Sequence, residues 1–307
     1  MPYQKLTPVF SPPIGLLGAW LEQLIAESTG KQGRGIVAIG DESLGTPAVY
    51  ADDRLFAYVR LASAPDPEQD AKIDALEAAG QPLVRIELDD PYDLAAEFYR
   101  WELATSVAGA WLGLNPFDQP DVEAAKQAAR ALMARYEEQG ALPTRNPALS
   151  EDGIQLFADP SLPVTTGLGE ALAAHLARLG AGDYFSLNAY LDPNDEIEAH
   201  LDAIRLTVRD RHRVASCRGY GPRFLHSTGQ LQKGGPDCGV FLQITSDEPK
   251  PLAIPGQRYS FDVLAGAQAQ GDFDVLVERG RRALWLHLSD PASGLARLRE
   301  LLSELRP

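Results

Sequence analysis

The chain has little cysteine or histidine and lacks any long hydrophobic run. Its two cysteines, Cys217 and Cys238, are too few for a disulfide framework, which favours a reducing compartment and predicts a cytoplasmic protein. Its five histidines are scattered and show no spacing typical of a metal site. No apolar stretch approaches the roughly 18 residues of a membrane span, and the N-terminus has no signal-peptide core. These absences argue against a secreted, metal-centred or membrane-spanning protein.

Basic residues are also in short supply. The chain has 28 lysines and arginines against 43 aspartates and glutamates, which gives a formal net charge of -15. A surface of this sign repels nucleic acid and anionic membranes, so neither is expected as a partner. An anionic small molecule remains acceptable as a substrate, because it needs only a local patch of positive charge.

The residues that are present indicate a globular α/β protein. With 307 residues, of which 45% are hydrophobic, the chain has material for about two domains. Short apolar strands alternate with amphipathic helices, a pattern typical of parallel strands in an open, doubly wound sheet. Glycine and prolines between residues 139 and 151 mark a boundary. We therefore predict one α/β domain over residues 1–145 and a second α/β lobe over residues 146–307.

The hydrophobic periodicity predicts individual elements in both halves. In the first half we predict strands at 35–39, 55–61 and 83–88, with a possible strand end at 5–7, and helices at 16–26, 69–79, 94–112 and 118–138. Gly30 is expected to close the first helix in a left-handed conformation, and Asp118 to cap the last. In the second half we predict strands at 154–158, 184–191, 214–217, 240–245 and 283–288, and helices at 168–179, 195–213, 261–281 and 294–305. Residues 218–239 are rich in glycine and are predicted to form an irregular, functional loop.

Three segments combine residue types that carry chemistry. They are EQLIAESTGK (Glu22–Lys31), NPFDQPDVEAAK (Asn115–Lys126) and FLHSTGQLQKGG (Phe224–Gly235). A carboxylate can take a proton from one carbon and return it to the next, a histidine titrates near neutral pH, and a lysine can stabilise an oxyanion. In the family that these segments resemble, such groups carry out aldose–ketose isomerisation through a cis-enediol, and the resemblance implies that no metal or organic cofactor is needed.

These segments resemble those of glucose-6-phosphate isomerase, and the third is closest to the isomerase portion of bacterial transaldolase/glucose-6-phosphate isomerase fusions. The resemblance implies a sugar-isomerase (SIS) type of doubly wound α/β fold. It assigns Glu27 as the catalytic base, Lys126 as the active-site lysine and His226 as the active-site histidine. The family usually has glycine where Asp121 stands here. We expect Glu27 and Lys126 to open into one cleft at the strand carboxyl ends.

Each assignment has an ordinary structural alternative. Lys126 shares a helix stripe with apolar residues, and such a lysine usually extends to solvent. A single histidine such as His226 is more often hydrogen-bonded to the backbone of a loop.

Five further residues are candidate contacts to the sugar phosphate. Ser28 and Thr29 either touch substrate hydroxyls or cap the end of the helix, and Gln119 precedes the helix of the second segment. Arg223 and Lys233 flank the histidine and either meet a phosphate or remain solvated, as charged loop residues usually do.

Other features of the family are not found in this sequence. The Ser/Thr-rich phosphate loop of its upstream sugar-isomerase domain is missing, and so is its glycine–arginine segment. Gln232 and Cys238 replace a histidine and a threonine of the fused relatives. We therefore expect the upstream SIS domain or a transaldolase portion as a partner, together with a homodimer that shares His226 between subunits. The chain is then a fragment, a split-gene subunit or a degenerate relative.

Two other functions stay open. The first is a sugar-phosphate-binding or assembly module that has lost turnover. The second, weaker one is transaldolase activity, in which Lys126 would form a Schiff base inside a barrel.

Overall fold

The computed structural model describes residues 5–163, 167–247 and 250–305. Within these ranges helices and strands alternate, so the predicted α/β class is confirmed. The strands form two open sheets, a four-stranded one from the first part of the chain and a six-stranded one from the second. The last strand of the first sheet ends at Leu88 and the first strand of the second begins at Leu149.

The first sheet is parallel throughout, as predicted. Its strands are β1 (Lys5–Phe10), β2 (Val37–Ala38), β3 (Arg54–Leu61) and β4 (Leu83–Leu88), in the order β2-β1-β3-β4. Its helices are α1 (Leu17–Thr29), α2 (Pro67–Ala78) and α3 (Leu94–Leu112). Successive side chains of a strand point to opposite faces. Val59 therefore packs with α1 and α3, and Tyr58 packs with α2, which makes the sheet doubly wound.

The second sheet is mixed. Its strands are β5 (Leu149–Glu151), β6 (Ile154–Ala158), β7 (Tyr184–Tyr190), β8 (Ala215–Tyr220), β9 (Gly239–Ser246) and β10 (Arg282–Leu288), in the order β5-β6-β10-β9-β7-β8. The sequence did not predict β5, which pairs antiparallel with β6 through a two-residue turn. Asp152 and Gly153 in this turn both have positive φ, 50° and 75°, as a type I′ hairpin requires.

Helices cover the second sheet on both faces. They are α4 (Pro120–Gln139), α5 (Leu168–Leu176), α6 (Asp195–His212), α7 (Thr228–Gly234), α8 (Phe261–Glu278) and α9 (Pro291–Glu304). The aliphatic face packs against α5, α6 and α9. The opposite face packs against α7 and α8, and the same cluster contains Ala26, Val37 and Ile39 of the first half. Helix α4 also lies against α8, so the two halves share a core.

Residues 218–239 are more regular than the sequence predicted. They contain the end of β8, a 3-10 turn at Arg223–His226, and the buried helix α7. Here the glycines permit close packing. A Cβ atom on Gly30 would lie 2.4 Å from the Cα of Leu231 in α7. The prediction of a left-handed Gly30 is wrong, since its φ is -80°, and the missing side chain is needed for this contact.

Candidate active site

The last turn of α1 borders a surface cleft of about 280 Å³. Its lining comes from α1 and from the loop of the second motif segment: Trp20, Gln23, Leu24, Glu27 and Ser28 of the helix, and Pro116, Phe117, Asp118 and Gln119 of the loop. Three of the predicted site residues, Glu27, Ser28 and Gln119, are thus brought together. Gln23 was not predicted, although its spacing of four residues from Glu27 places both on one helix face. Its Nε2 lies 3.4 Å from Oε2 of Glu27 and donates to it.

Lys31 joins the first segment to the second. Its Nζ is buried and donates to the carbonyl oxygens of Asn115 (2.8 Å) and Asp118, and it forms a 2.8 Å ion pair with Oδ1 of Asp118. The hydrogen bond from Lys31 holds the pKa of Asp118 below its usual value. Asp118 was predicted to cap α4, and this is corrected. The helix begins at Pro120 after an N-cap residue, Gln119, that makes no side-chain hydrogen bond.

Gln230 joins the third segment to the other two. Its buried Oε1 accepts hydrogen bonds from the backbone N–H groups of Asp121 (2.9 Å) and Val122 (3.2 Å), at the start of α4. Its Nε2 donates to the carbonyl oxygen of Gly30 and to Oδ2 of Asp121, both at 2.8 Å. Gln230 therefore provides hydrogen-bond partners for backbone groups at the end of α1 and the start of α4 that have none within their own helices. Asp121, where the family usually has glycine, also pairs with Arg279 at 2.7 Å.

Two predicted substrate contacts are buried inside this junction. The hydroxyl of Thr29 donates to the carbonyl of Ile25 (2.7 Å) and accepts from the N–H of Ile36 (3.0 Å). The ammonium of Lys233 lies in α7 and pairs with the buried Asp272. The structure gives both side chains internal partners instead of a position that faces solvent. For Thr29 this corresponds to the alternative role at the helix end.

Lys126 and His226 lie together but outside the residues that line the cleft. Nζ of Lys126 forms a 2.9 Å ion pair with Glu123, one turn earlier in α4. This hydrogen bond lowers the pKa of Glu123, and the nearby His226 contributes in the same direction. His226 is exposed at the end of the 3-10 turn, and Arg223 is exposed at its start. The described residues therefore place Glu27 on one surface and the lysine and histidine on a neighbouring one.

The expected location at the strand carboxyl ends is wrong for Glu27. Helix α1 connects the carboxyl end of β1 to the amino end of the parallel strand β2. Its last turn, which carries Glu27, consequently lies at the amino edge of the first sheet. The cleft is formed by the junction of the three segments and not by the crevice of a doubly wound sheet.

A second glutamate of α1, Glu22, has a strongly shifted pKa. Burial raises the pKa of Glu22 to about 7, and the positive charge of Arg205 opposes this rise most. The carboxylate lies close to Gly40, where a Cβ atom would be 3.0 Å from Oε2. Glu22 does not line the cleft. The sequence did not single it out, because its partner Arg205 lies in α6, far along the chain.

Two further observations concern the described residues only. None of their helices has the length and apolar character needed to cross a membrane. They also contain no group of three or more histidine, cysteine, aspartate or glutamate side chains that could hold a metal ion.

The fold and the cleft define an α/β protein with a glutamate at the junction of three motif segments. Comparison with known proteins agrees with the resemblance found in the motif segments. The chain is similar to glucose-6-phosphate isomerases. It is 31% identical over 166 residues to the enzyme of Rubrobacter xylanophilus, covering 41% of this chain and 38% of that protein. It is 34% identical over 149 residues to a probable glucose-6-phosphate isomerase of Natronomonas pharaonis, covering 37% and 34%.

The similarity is partial in both directions. The enzyme of Heliobacterium modesticaldum is 28% identical over 182 residues, covering 47% of this chain and 41% of that protein. The matched stretches thus span less than half the length of these relatives. No family model matches the chain. A solved structure, a hypothetical protein from Thermus thermophilus, aligns over 98% of this chain and 77% of its own with 14% identity and a TM-score of 0.36.

Proposed function

We propose that this chain carries the proton-transfer part of a glucose-6-phosphate isomerase, with Glu27 as the base. The observation that supports this most is the cleft beside Glu27, which exists because Lys31 and Gln230 hold the three segments together. The half-buried carboxylate of Glu27 lines this cleft, where it can reach a bound sugar. The similarity to enzymes named glucose-6-phosphate isomerase supplies the substrate, glucose 6-phosphate or fructose 6-phosphate.

In the proposed reaction Glu27 removes the proton from C2 of the open-chain aldose and returns it to C1 of the enediol. One carboxylate serves both carbons because they are adjacent. Gln23, Ser28 and Gln119 would hydrogen-bond to the sugar hydroxyls and keep both carbons near the carboxylate. Gln23 also orients the carboxylate through its contact with Oε2.

Ring opening is assigned in this proposal to His226 and Lys126. An imidazole moves a proton to the ring oxygen, and an ammonium stabilises the charge that develops there. Because His226 lies outside the cleft of its own chain, we propose that a second copy contributes it across a homodimer.

The lining of the cleft indicates where phosphate is not bound. Among the described residues that line it, Glu27 and Asp118 are acidic and none is basic. Lys31 lies behind the wall and is neutralised by Asp118. A phosphate dianion needs cations or free N–H groups, so we propose that a partner domain of the sugar-isomerase type supplies its site.

This proposal predicts very low turnover by the chain alone and a large gain when the phosphate-binding domain is added, either fused or in trans. Correct positioning of the substrate lowers the activation barrier by on the order of 7–11 kcal/mol. Binding of a phosphate far from the reacting carbons provides this positioning. The assay couples conversion of fructose 6-phosphate to a glucose 6-phosphate dehydrogenase.

In the restored protein, Glu27→Gln should abolish turnover and leave substrate binding nearly unchanged, because the amide keeps the shape and loses the basicity. Glu137→Gln, at an exposed position near the end of α4, is the matched control and should retain activity. Substantial turnover by Glu27→Gln would show that another group is the base.

An assembly module without turnover is the second candidate. Helix α3 carries a row of exposed apolar side chains at a spacing of four residues: Tyr99, Leu103, Val107 and Trp111 are 69%, 52%, 60% and 81% exposed. Phe117, beside the cleft, is 86% exposed. A patch of this kind is typical of a protein–protein contact. Binding of sugar phosphate without turnover in the restored protein would favour this candidate.

Transaldolase activity gains no support from the described residues. Their two sheets are open, whereas that activity would require a closed barrel around the lysine.

A further inference from the structure

The two faces of the second sheet differ in chemistry. The face toward α5, α6 and α9 is mostly apolar, with residues such as Leu242, Ile244 and Leu286. On the opposite face polar side chains lie at the end of the sheet where β7, β9 and β10 finish, among them His287 and its neighbour Gln155 in the antiparallel strand β6. Gln155 is exposed and His287 is half-buried, so this polar half of the face stays open to solvent.

A cavity of about 900 Å³ lies above the polar half of the face. Its floor includes Gln155, Thr245, Trp285 and His287, and its roof is the first half of α8, where small residues leave room. From β7 the chain continues to β8 on one side of β7. It then crosses over to β9, which lies on the other side of β7. This reversal is the place where open α/β sheets bind ligands, outside the strand carboxyl ends.

The polar groups on the floor are held in a fixed arrangement. The indole Nε1 of Trp285 donates to Oγ1 of Thr245 at 2.8 Å, and this hydroxyl lies 2.8 Å from Nδ1 of His287. Nε2 of His287 lies 3.2 Å from Oδ1 of Asp247. If the hydroxyl of Thr245 donates to Nδ1 of His287, then Nε2–H of the same ring donates to the carboxylate of Asp247. Each group in this row of hydrogen bonds then has a partner. Such a preorganised floor reduces the entropy that binding would otherwise lose.

The charges around the cavity balance, because its lining contains two cations, Arg145 and Lys250, and two carboxylates, Asp192 and Asp262. Arg145 is paired with Asp274, and its guanidinium lies 6.0 Å from the centre of the Trp285 ring. The N-terminus of α8 opens toward the cavity and has Asp262 in its first turn, which occupies the positive end of the helix dipole. Asp192 adds a second carboxylate to the lining.

We propose that this cavity binds an uncharged carbohydrate of one or two rings, at a site separate from the cleft of Glu27. Aromatic side chains such as Trp285 and Phe157 suit the C–H surfaces of a sugar. Amide, imidazole and carboxylate groups suit its hydroxyls as both donors and acceptors. The volume lies within the range of small-molecule sites and accommodates a disaccharide. A phosphorylated sugar is disfavoured, because the carboxylates of the lining match its cations and leave no net positive charge to hold a phosphate.

The test is binding of glucose and maltose, measured by isothermal titration calorimetry and by ligand-detected NMR, with glucose 6-phosphate as the charged comparison. We expect saturable binding of at least one neutral sugar, competed by the other. Gln155→Ala should weaken it by about five- to tenfold through the loss of a hydrogen bond to the ligand. Gln139→Ala is the matched control, at an exposed position in α4 outside the cavity, and should bind normally.

His287→Leu is a second variant, with a thermal melt followed by circular dichroism to verify folding. Glu27→Gln should leave binding of the neutral sugar unchanged, which separates this site from the proposed isomerase cleft. The proposal is overturned if neither sugar saturates the protein at tens of millimolar. It is also overturned if Gln155→Ala binds as tightly as the unaltered chain, or if glucose 6-phosphate competes more strongly than glucose.

Discussion

Glu22 is a residue whose environment strongly changes its ordinary chemistry. It lies on α1 with Glu27, yet burial raises its pKa to about 7 and the charge of Arg205 opposes this only in part. A carboxyl group whose pKa is near its ordinary value of 4.5 in the unfolded chain therefore binds more protons when the protein is folded. Stability contributed by this group is therefore present at low pH and is lost as the pH rises from about 4.5 through 7.

Glu22→Gln should remove this loss. At pH 8 the variant should exceed the unaltered chain in free energy of unfolding by about 3 kcal/mol, and near pH 4 the two should be alike. Urea denaturation at both pH values measures the difference. The control is Glu137→Gln, exposed on α4, which should change stability little at either pH. A Glu22→Gln variant that is no more stable at pH 8 would mean that the carboxyl group is ionised without a penalty.

At the residue scale the sequence named Glu27 as the base and Ser28 and Gln119 as candidate contacts. The structure brings these three into one cleft, and their roles stay predictions. The sequence could not distinguish them from Thr29, whose hydroxyl is used inside the fold. A motif specifies the residue type at each position, but tertiary partners decide whether a polar side chain faces a ligand or the protein.

At the scale of elements, the contact between α1 and α7 depends on the absence of a side chain at Gly30. Helix α7 passes so close that a Cβ atom there would lie 2.4 Å from the Cα of Leu231 and 2.6 Å from the carbonyl oxygen of Ala26. Both are backbone atoms, so neither can move without moving a helix.

Gly30→Ala should therefore destabilise the protein by about 3 kcal/mol or more. Gly33→Ala, in the turn that follows, is the matched control. Gly33 has a φ of +71° but no neighbouring atom within 4 Å of its Cβ position, so only the backbone strain of about 1 kcal/mol is expected. Chemical denaturation of both variants gives the comparison. Equal losses would indicate that the packing of α7 against α1 relaxes easily.

Most elements of the fold follow from local patterns, and the exceptions have tertiary causes. The predicted strand at 154–158 and helix at 94–112 match β6 and α3, because apolar periodicity over a whole element is a strong signal. Helix α7 was missed because its polar side chains are buried and satisfied by residues far along the chain, as Gln230 is. Strand β5 was missed because three residues are too short to show alternation.

At the scale of the molecule, the two sheets are connected through buried polar contacts. Arg54 of β3 forms a 2.6 Å ion pair with Glu42 and donates to the carbonyl of Val214 in the second half at 3.1 Å. Glu42 accepts from the hydroxyl of Ser216 in β8 at 2.9 Å. Separation of the halves would remove the hydrogen bonds that Val214 and Ser216 make with this buried ion pair, which is unfavourable.

We therefore expect the halves to unfold together. Variants that retain only Trp101, in α3, or only Trp285, in β10, report on one half each, and far-UV circular dichroism reports on both. The midpoints of urea denaturation from all three signals should coincide. Two transitions, with the fluorescence of Trp101 and Trp285 changing at different urea concentrations, would show that the halves are independent folding units.

The junction held by Lys31 and Gln230 also bears on how such proteins diverge over time. Each of these side chains holds backbone groups of a second segment in place, so selection for a stable fold alone is enough to retain them. A descendant that no longer turns over sugar phosphate would keep the lysine of ESTGK and the glutamine of HSTGQL for as long as it folds. For inferring activity among relatives, substitutions at Gln23, Glu27 and Ser28 are therefore more informative than an intact match to the motifs.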